Sequence, residues 1–274
     1  MSKIWNHLFL VSLILVSTSS LAYEDFDMDG VDDMVDKCPN TSFSDLVDIR
    51  GCAIKSLDSP LHYDVIVGMS YADADYQTLT KADTFATSIQ ADYYYRDFSF
   101  QASTSYFTTN SNDYSDRGFY DSFLGATYKW NLTDALFTSI GVGVILPTYS
   151  DSLNNNNTDY RISANVSYSM KNINIFGAYT YTLINDDDII GMATYQNTRA
   201  LGGGVGYYVD NSLYVSASYN VSNSVYSEVG DIKTASIYAN YTIDEHWFGM
   251  LSYARGLSDS ASKNYLSLRL GYYF

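Results

Sequence analysis

Several residue types are scarce in this 274-residue chain: it has three prolines, two cysteines and three histidines, and 15 basic residues against 31 acidic ones, for a formal net charge of −16. With so little proline, long stretches are free to enter hydrogen-bonded ladders. The shortage of bases excludes a nucleic-acid binder, which needs a basic footprint. Long apolar runs are also missing: beyond Leu8 to Val16, no segment is long enough to cross a bilayer as a helix. An inserted form of this protein would therefore have to be a closed barrel. Only His62 and His246 follow the leader, and no serine near either stands in a recognisable nucleophile motif, so a non-enzymatic protein is expected.

Aromatic residues, by contrast, are abundant. Tyr 28, Phe 13 and Trp 3 make up 16% of the chain, a level that suits strands and membrane interfaces. The first 22 residues have Lys3, the apolar stretch from Leu8 to Val16, then small polar residues ending at Ala22. That order predicts a cleavable secretory signal peptide over 1–22. Its removal takes away one base and no acid, so the mature charge is −16 − 1 = −17.

Residues 23–58 read as a second unit. Asp25, Asp27, Asp29, Asp33 and Asp36 fall around Gly30, and with the Val31 carbonyl they occupy the oxygen positions of a calcium loop. Calcium is the expected cofactor. Asp36 stands where an EF-hand carries a bidentate glutamate, and no flanking helices are evident, so a sensor EF-hand is not expected. Cys38 and Cys52 are the only cysteines of an exported chain, and they are expected to pair. Closing such a loop contributes about 3 kcal/mol in the chain-entropy account. The run from Asp25 to Thr41, followed by Val47-Asp48 and Gly51-Cys52, resembles a thrombospondin type 3 repeat. In bacteria such repeats precede peptidoglycan-binding domains, which implies a periplasmic spacer or a docking element toward peptidoglycan or a periplasmic partner.

Residues 59–274 alternate with period two. Leu266, Leu268, Leu270, Tyr272 and Phe274 share one face, while Ser267, Arg269, Gly271 and Tyr273 share the other. Tyr160 to Ser169 and Leu213 to Asn220 repeat the pattern. An apolar face toward lipid and a polar face toward a lumen predict an all-β fold, a transmembrane antiparallel barrel of about 12 strands. Short turns at Arg96-Asp97, Asn131 to Asp134, Lys171-Asn172, Asp210-Asn211 and Asp244-Glu245 alternate with longer polar connections near 72–83, 108–118, 147–158, 184–197, 222–231 and 256–263. In a bacterial outer-membrane barrel the short turns face the periplasm, which places both barrel ends and the calcium segment there. The terminal aromatic residue resembles the carboxy-terminal signature of such proteins.

Parity turns Asp64, Asp92, Asp121, Lys129, Arg161 and Arg269 inward, where charges can bias which solutes pass. Asp121 and Arg161 are candidates to pair across the lumen. Asp186 to Asp188 form an acidic loop cluster that reads as a solvated tip, with cations shared with lipopolysaccharide as the other possibility. The segment Gly141 to Thr148, followed by Thr158-Asp159-Tyr160, resembles outer-membrane transporters of the phenol meta-degradation family, with Ile145 where those often carry a base. That resemblance implies a barrel that moves small organic molecules. The expected function is an outer-membrane pore or transporter for small solutes, in contact with outer-membrane lipid and lipopolysaccharide. The alternative is a structural or adhesion barrel without transport.

Overall fold

The computed structural model describes residues 61–74, 81–112, 115–133, 135–149, 156–189, 191 and 193–274. The calcium-loop residues Asp25, Asp27, Asp29, Val31, Asp33 and Asp36, and the Cys38–Cys52 pair, lie outside them. Thirteen strands follow in chain order: β1 (Leu61–Ala74), β2 (Ala82–Tyr95), β3 (Phe98–Ser111), β4 (Ser115–Phe119), β5 (Ser122–Asn131), β6 (Leu136–Leu146), β7 (Asp159–Met170), β8 (Ile173–Leu183), β9 (Thr198–Tyr208), β10 (Leu213–Ser222), β11 (Ile232–Thr242), β12 (Trp247–Gly256) and β13 (Asn264–Tyr273). Every pairing is antiparallel, and β1 bonds to both β2 and β13 while β2 bonds to β3. The sheet therefore closes on itself, and among the described strands only β4 pairs on one side alone, with β3.

Both β4 and β5 pair with β3, and together they make one strand of the wall, so the closed barrel has twelve. Tyr106 faces Phe119, but Ser103 faces Phe123. Between those pairs two residues of β3 oppose three of the partner, which is a β-bulge at Tyr120–Asp121. The Tyr120 N–H still donates to the Ser105 carbonyl at 2.9 Å, so the ladder bends there without breaking. Across the bulge the inward parity switches from even positions on β4 to odd positions on β5.

Alternation explains the outer surface. The middle of each wall strand exposes aliphatic residues such as Met69, Ile89, Val142, Leu201, Ile237 and Leu268, with aromatic residues above and below. Tyr63, Tyr93, Phe98, Trp130, Tyr207 and Trp247 ring the short-turn end, and Phe85, Tyr106, Phe119, Tyr160, Tyr179 and Tyr219 ring the long-loop end. Two aromatic girdles flanking an aliphatic band are what a bilayer's interfaces and hydrocarbon core select on a barrel's outer face. Among the described residues no helix is long and apolar enough to cross a membrane.

Closure is built from the last residues. The Phe274 N–H donates to the Tyr63 carbonyl at 2.9 Å, and the two rings stack with centroids 4.7 Å apart. His246 stacks on Tyr272 at 5.3 Å and His62 on Tyr94 at 4.7 Å, both at the short-turn end.

The first three strands run past the bounds that polarity suggests, to Ala74, from Ala82 and to Ser111. There the outward positions turn polar: Lys81 Nζ lies 3.7 Å from Asp73 and 3.4 Å from Asp83, and the Tyr71 hydroxyl donates to Asp83 at 2.8 Å. Backbone pairing continues beyond the apolar band because the ladder needs only its own amides and carbonyls, and a wall wet on both faces has no reason to alternate.

Candidate functional site

The inner face is set by register. Asp64 stands directly opposite Asp92 on one side and Tyr273 on the other. Asp64 is 2% exposed and Asp92 8%. The Tyr94 hydroxyl donates to Asp64 Oδ2 at 3.3 Å, while Asp64 Oδ1 is buried with no hydrogen-bond partner. Gln90 links the pair to the next row: its amide donates to Asp92 at 2.5 Å and its carbonyl oxygen accepts from Arg269.

Lys129 and Arg161 lie elsewhere on the same inner face. The Lys129 ammonium sits 5.0 Å above the Phe137 ring and the Arg161 guanidinium 5.2 Å from the Phe123 ring. Asp121 does not pair with Arg161. Instead Asp121 Oδ1 accepts from the Tyr149 backbone N–H at 2.9 Å and from the Asn156 amide at 2.7 Å, because the bulge tips it toward the loop that follows β6. On the outer face Lys81 forms ion pairs with Asp73 and Asp83.

Register adds two inward acids that parity reading left out. Asp159 faces Ile145 on β6, and Asp116 faces Thr109 on β3. Asp159 Oδ1 accepts from the Asn185 backbone N–H at 2.8 Å and so ties two long connections together. The acidic loop cluster does similar work: Asp186 accepts from Asn157 N–H and Asp188 from Tyr195 N–H, each at 2.8 Å. These carboxylates brace loops through backbone donors.

A second feature of the lumen concerns glycines on the inner face. A Cβ added at Gly125 would lie 2.6 Å from the Phe123 ring, and at Gly204 the same distance from the Phe176 ring. Added at Gly271 it would run into the Phe248 ring, and at Gly206 into the Tyr214 hydroxyl. Four large inward rings, Phe123, Phe176, Tyr214 and Phe248, therefore pack against glycines of their own or a neighbouring strand, close to the wall. The run Gly202-Gly203-Gly204 was the available signal, but which ring each glycine receives depends on pairing across strands.

A lumenal cavity of about 430 Å³ is lined by small hydroxyl side chains, among them Ser70, Ser88, Ser103 and Ser267, together with Ala72, Ala86, Gln90, Asp121 and Arg269. Such a surface offers water and polar solutes hydrogen-bond partners along its length.

No protein-family model matches the chain, and no curated protein matches its sequence. Solved structures do. An outer membrane channel from Pseudomonas putida F1 superposes with a TM-score of 0.67 at 14% identity, covering 78% of this chain and 95% of that one. The NanC porin superposes with a TM-score of 0.53 at 15% identity, covering 77% and 98%. At these identities the likeness establishes the fold: this chain has the closed twelve-stranded antiparallel architecture of bacterial outer-membrane barrels.

Proposed function

We propose that the protein is a passive outer-membrane pore for small solutes. The observation that carries this reading is the inner wall, where hydroxyl side chains help line a cavity of about 430 Å³ and four large rings, Phe123, Phe176, Tyr214 and Phe248, pack back against glycines. An anchor with no transport role has no need of parked rings, since a side-chain-filled interior would stabilise it further. The apolar band and its two girdles support insertion in a bilayer, and the likeness to an outer membrane channel and a porin supports the outer membrane. In that orientation the short-turn end, with both ends of the barrel chain, faces the periplasm. Solutes would cross by diffusion, and no sequence motif suggests an energy source.

Planar-bilayer recording of the refolded mature chain tests this. Discrete, reproducible conductance steps are expected. Silence from barrels verified as folded by their gel mobility would move the reading to a structural barrel.

Calcium binding by Asp25, Asp27, Asp29, Asp33 and Asp36 rests on sequence spacing alone. In this reading the segment is a periplasmic tether whose order depends on the ion and on the Cys38–Cys52 bridge. Calorimetric titration of the mature chain should show calcium binding that Asp27→Asn with Asp29→Asn reduces by about tenfold or more, since two of the charged ligands that tune such sites are neutralised. Unchanged binding in the double variant would refute the site.

A further inference from the structure

Charge is segregated across this wall. By register the inner face carries Asp64, Asp92, Asp116 and Asp159 against Lys129, Arg161 and Arg269, and Asp121 at the bulge lines the lumenal cavity. Arg117, Arg199, Lys233 and Arg255, the other arginines and lysines within the strands, take outward positions. None of the inward acids forms an ion pair with a described residue, whereas Lys81 pairs with Asp73 and Asp83 on the outer face. The three inward bases are each held against the wall, by the Phe137 ring, by the Phe123 ring and by Gln90.

From this we infer that the lumen prefers cationic solutes, with Asp64 and Asp92 as the selectivity-determining pair. The inference rests on the pore reading and specifies its solute class. Two carboxylates directly opposite one another in a wall repel, and Asp64 keeps one oxygen buried without a partner. The field of the pair favours a passing cation and disfavours an anion. Acids stand at both ends of the path: Asp64 and Asp92 toward the short turns, Asp116, Asp121 and Asp159 toward the long loops. A lumen lined by an excess of one sign concentrates the opposite ion and biases flux.

The test is the reversal potential of the refolded full mature chain in a potassium chloride gradient, then with an organic ammonium chloride in place of potassium. Cation-over-anion permeation is expected in both salts. Asp64→Asn with Asp92→Asn should lower the permeability ratio at least about twofold, and Arg269→Gln should raise it. Arg269→Gln also guards against a double variant that fails to fold, because it removes a base and leaves the carboxylates in place. Steps with anion preference or none, or a ratio unmoved in both variants, would overturn the inference and leave the pore intact. Absence of steps from folded wild-type barrels would overturn the pore reading itself, and the inference with it.

Discussion

Leu268→Arg is expected to destabilise the inserted barrel by about 2–4 kcal/mol, the cost of an arginine near the bilayer midplane on a lipid-facing position. Leu268 is 62% exposed at the middle of β13, between Leu266 and Leu270, with Met69 and Leu251 as its cross-strand neighbours. Every one of those neighbours is apolar, so the guanidinium would have no partner within the aliphatic band. Ser252 is one cross-strand position away, opposite Ser267, but takes inward parity. The same arginine there enters a polar lumen and is expected to cost much less stability while changing conductance. Denaturant titration of both variants in lipid vesicles measures the contrast. Equal losses at the two positions would contradict the assignment of faces, which in a strand admits no intermediate case because a one-residue shift exchanges the faces.

The second large effect is expected at Gly271. A Cβ there would run into the Phe248 ring, which is 5% exposed and packs 4.5 Å from the Tyr273 ring. Gly271→Val should force that ring off the wall, at a cost of about 1–3 kcal/mol for overpacking and with reduced single-channel conductance. Phe248→Ala removes the obstacle. Combined with Gly271→Val it should recover part of both losses, with a coupling energy of about 0.5–3 kcal/mol, as expected of residues in direct contact. Additive losses in a double-mutant cycle would mean that the glycine serves the backbone and not the ring.

Much of the barrel was legible residue by residue. The alternation from Leu266 to Phe274 announced a two-faced strand, and the same parity in Tyr160 to Ser169 and Leu213 to Asn220 announced others, because the side-chain period of a strand is two and each face here meets a different solvent. The tight reversals at Arg96-Asp97 and Lys171-Asn172 were legible as well. In each the first residue adopts a left-handed φ, 53° at Arg96 and 50° at Lys171, at a modest steric cost that a two-residue hairpin imposes. Strand ends were less legible. Polarity near Asp73 and Asp83 suggested a loop, yet the strands continue, since hydrogen bonding outlasts the apolar band. The bulge at Tyr120–Asp121 was not legible at all, because an extra residue shows only when the partner strand's count is known.

The candidate site divides in the same way. Which side of the wall Asp64, Asp92, Lys129, Arg161 and Arg269 take follows from local parity, a property each strand carries in its own sequence. Asp121 and Arg161 share inward parity toward the same end of the wall, but the bulge turns Asp121 to the Tyr149 N–H and the Asn156 amide. That Asp64 faces Asp92, that Gln90 bridges Asp92 to Arg269, and that Phe248 rests on Gly271 required register, and register between strands up to about two hundred positions apart is set by barrel closure. By itself the sequence determined that this chain makes strands, which side chains share a face, and that one face is fit for lipid, because these depend on neighbours along the chain. Only the tertiary structure decided which charges meet, which rings are parked and how much space the lumen keeps, because those depend on neighbours across it.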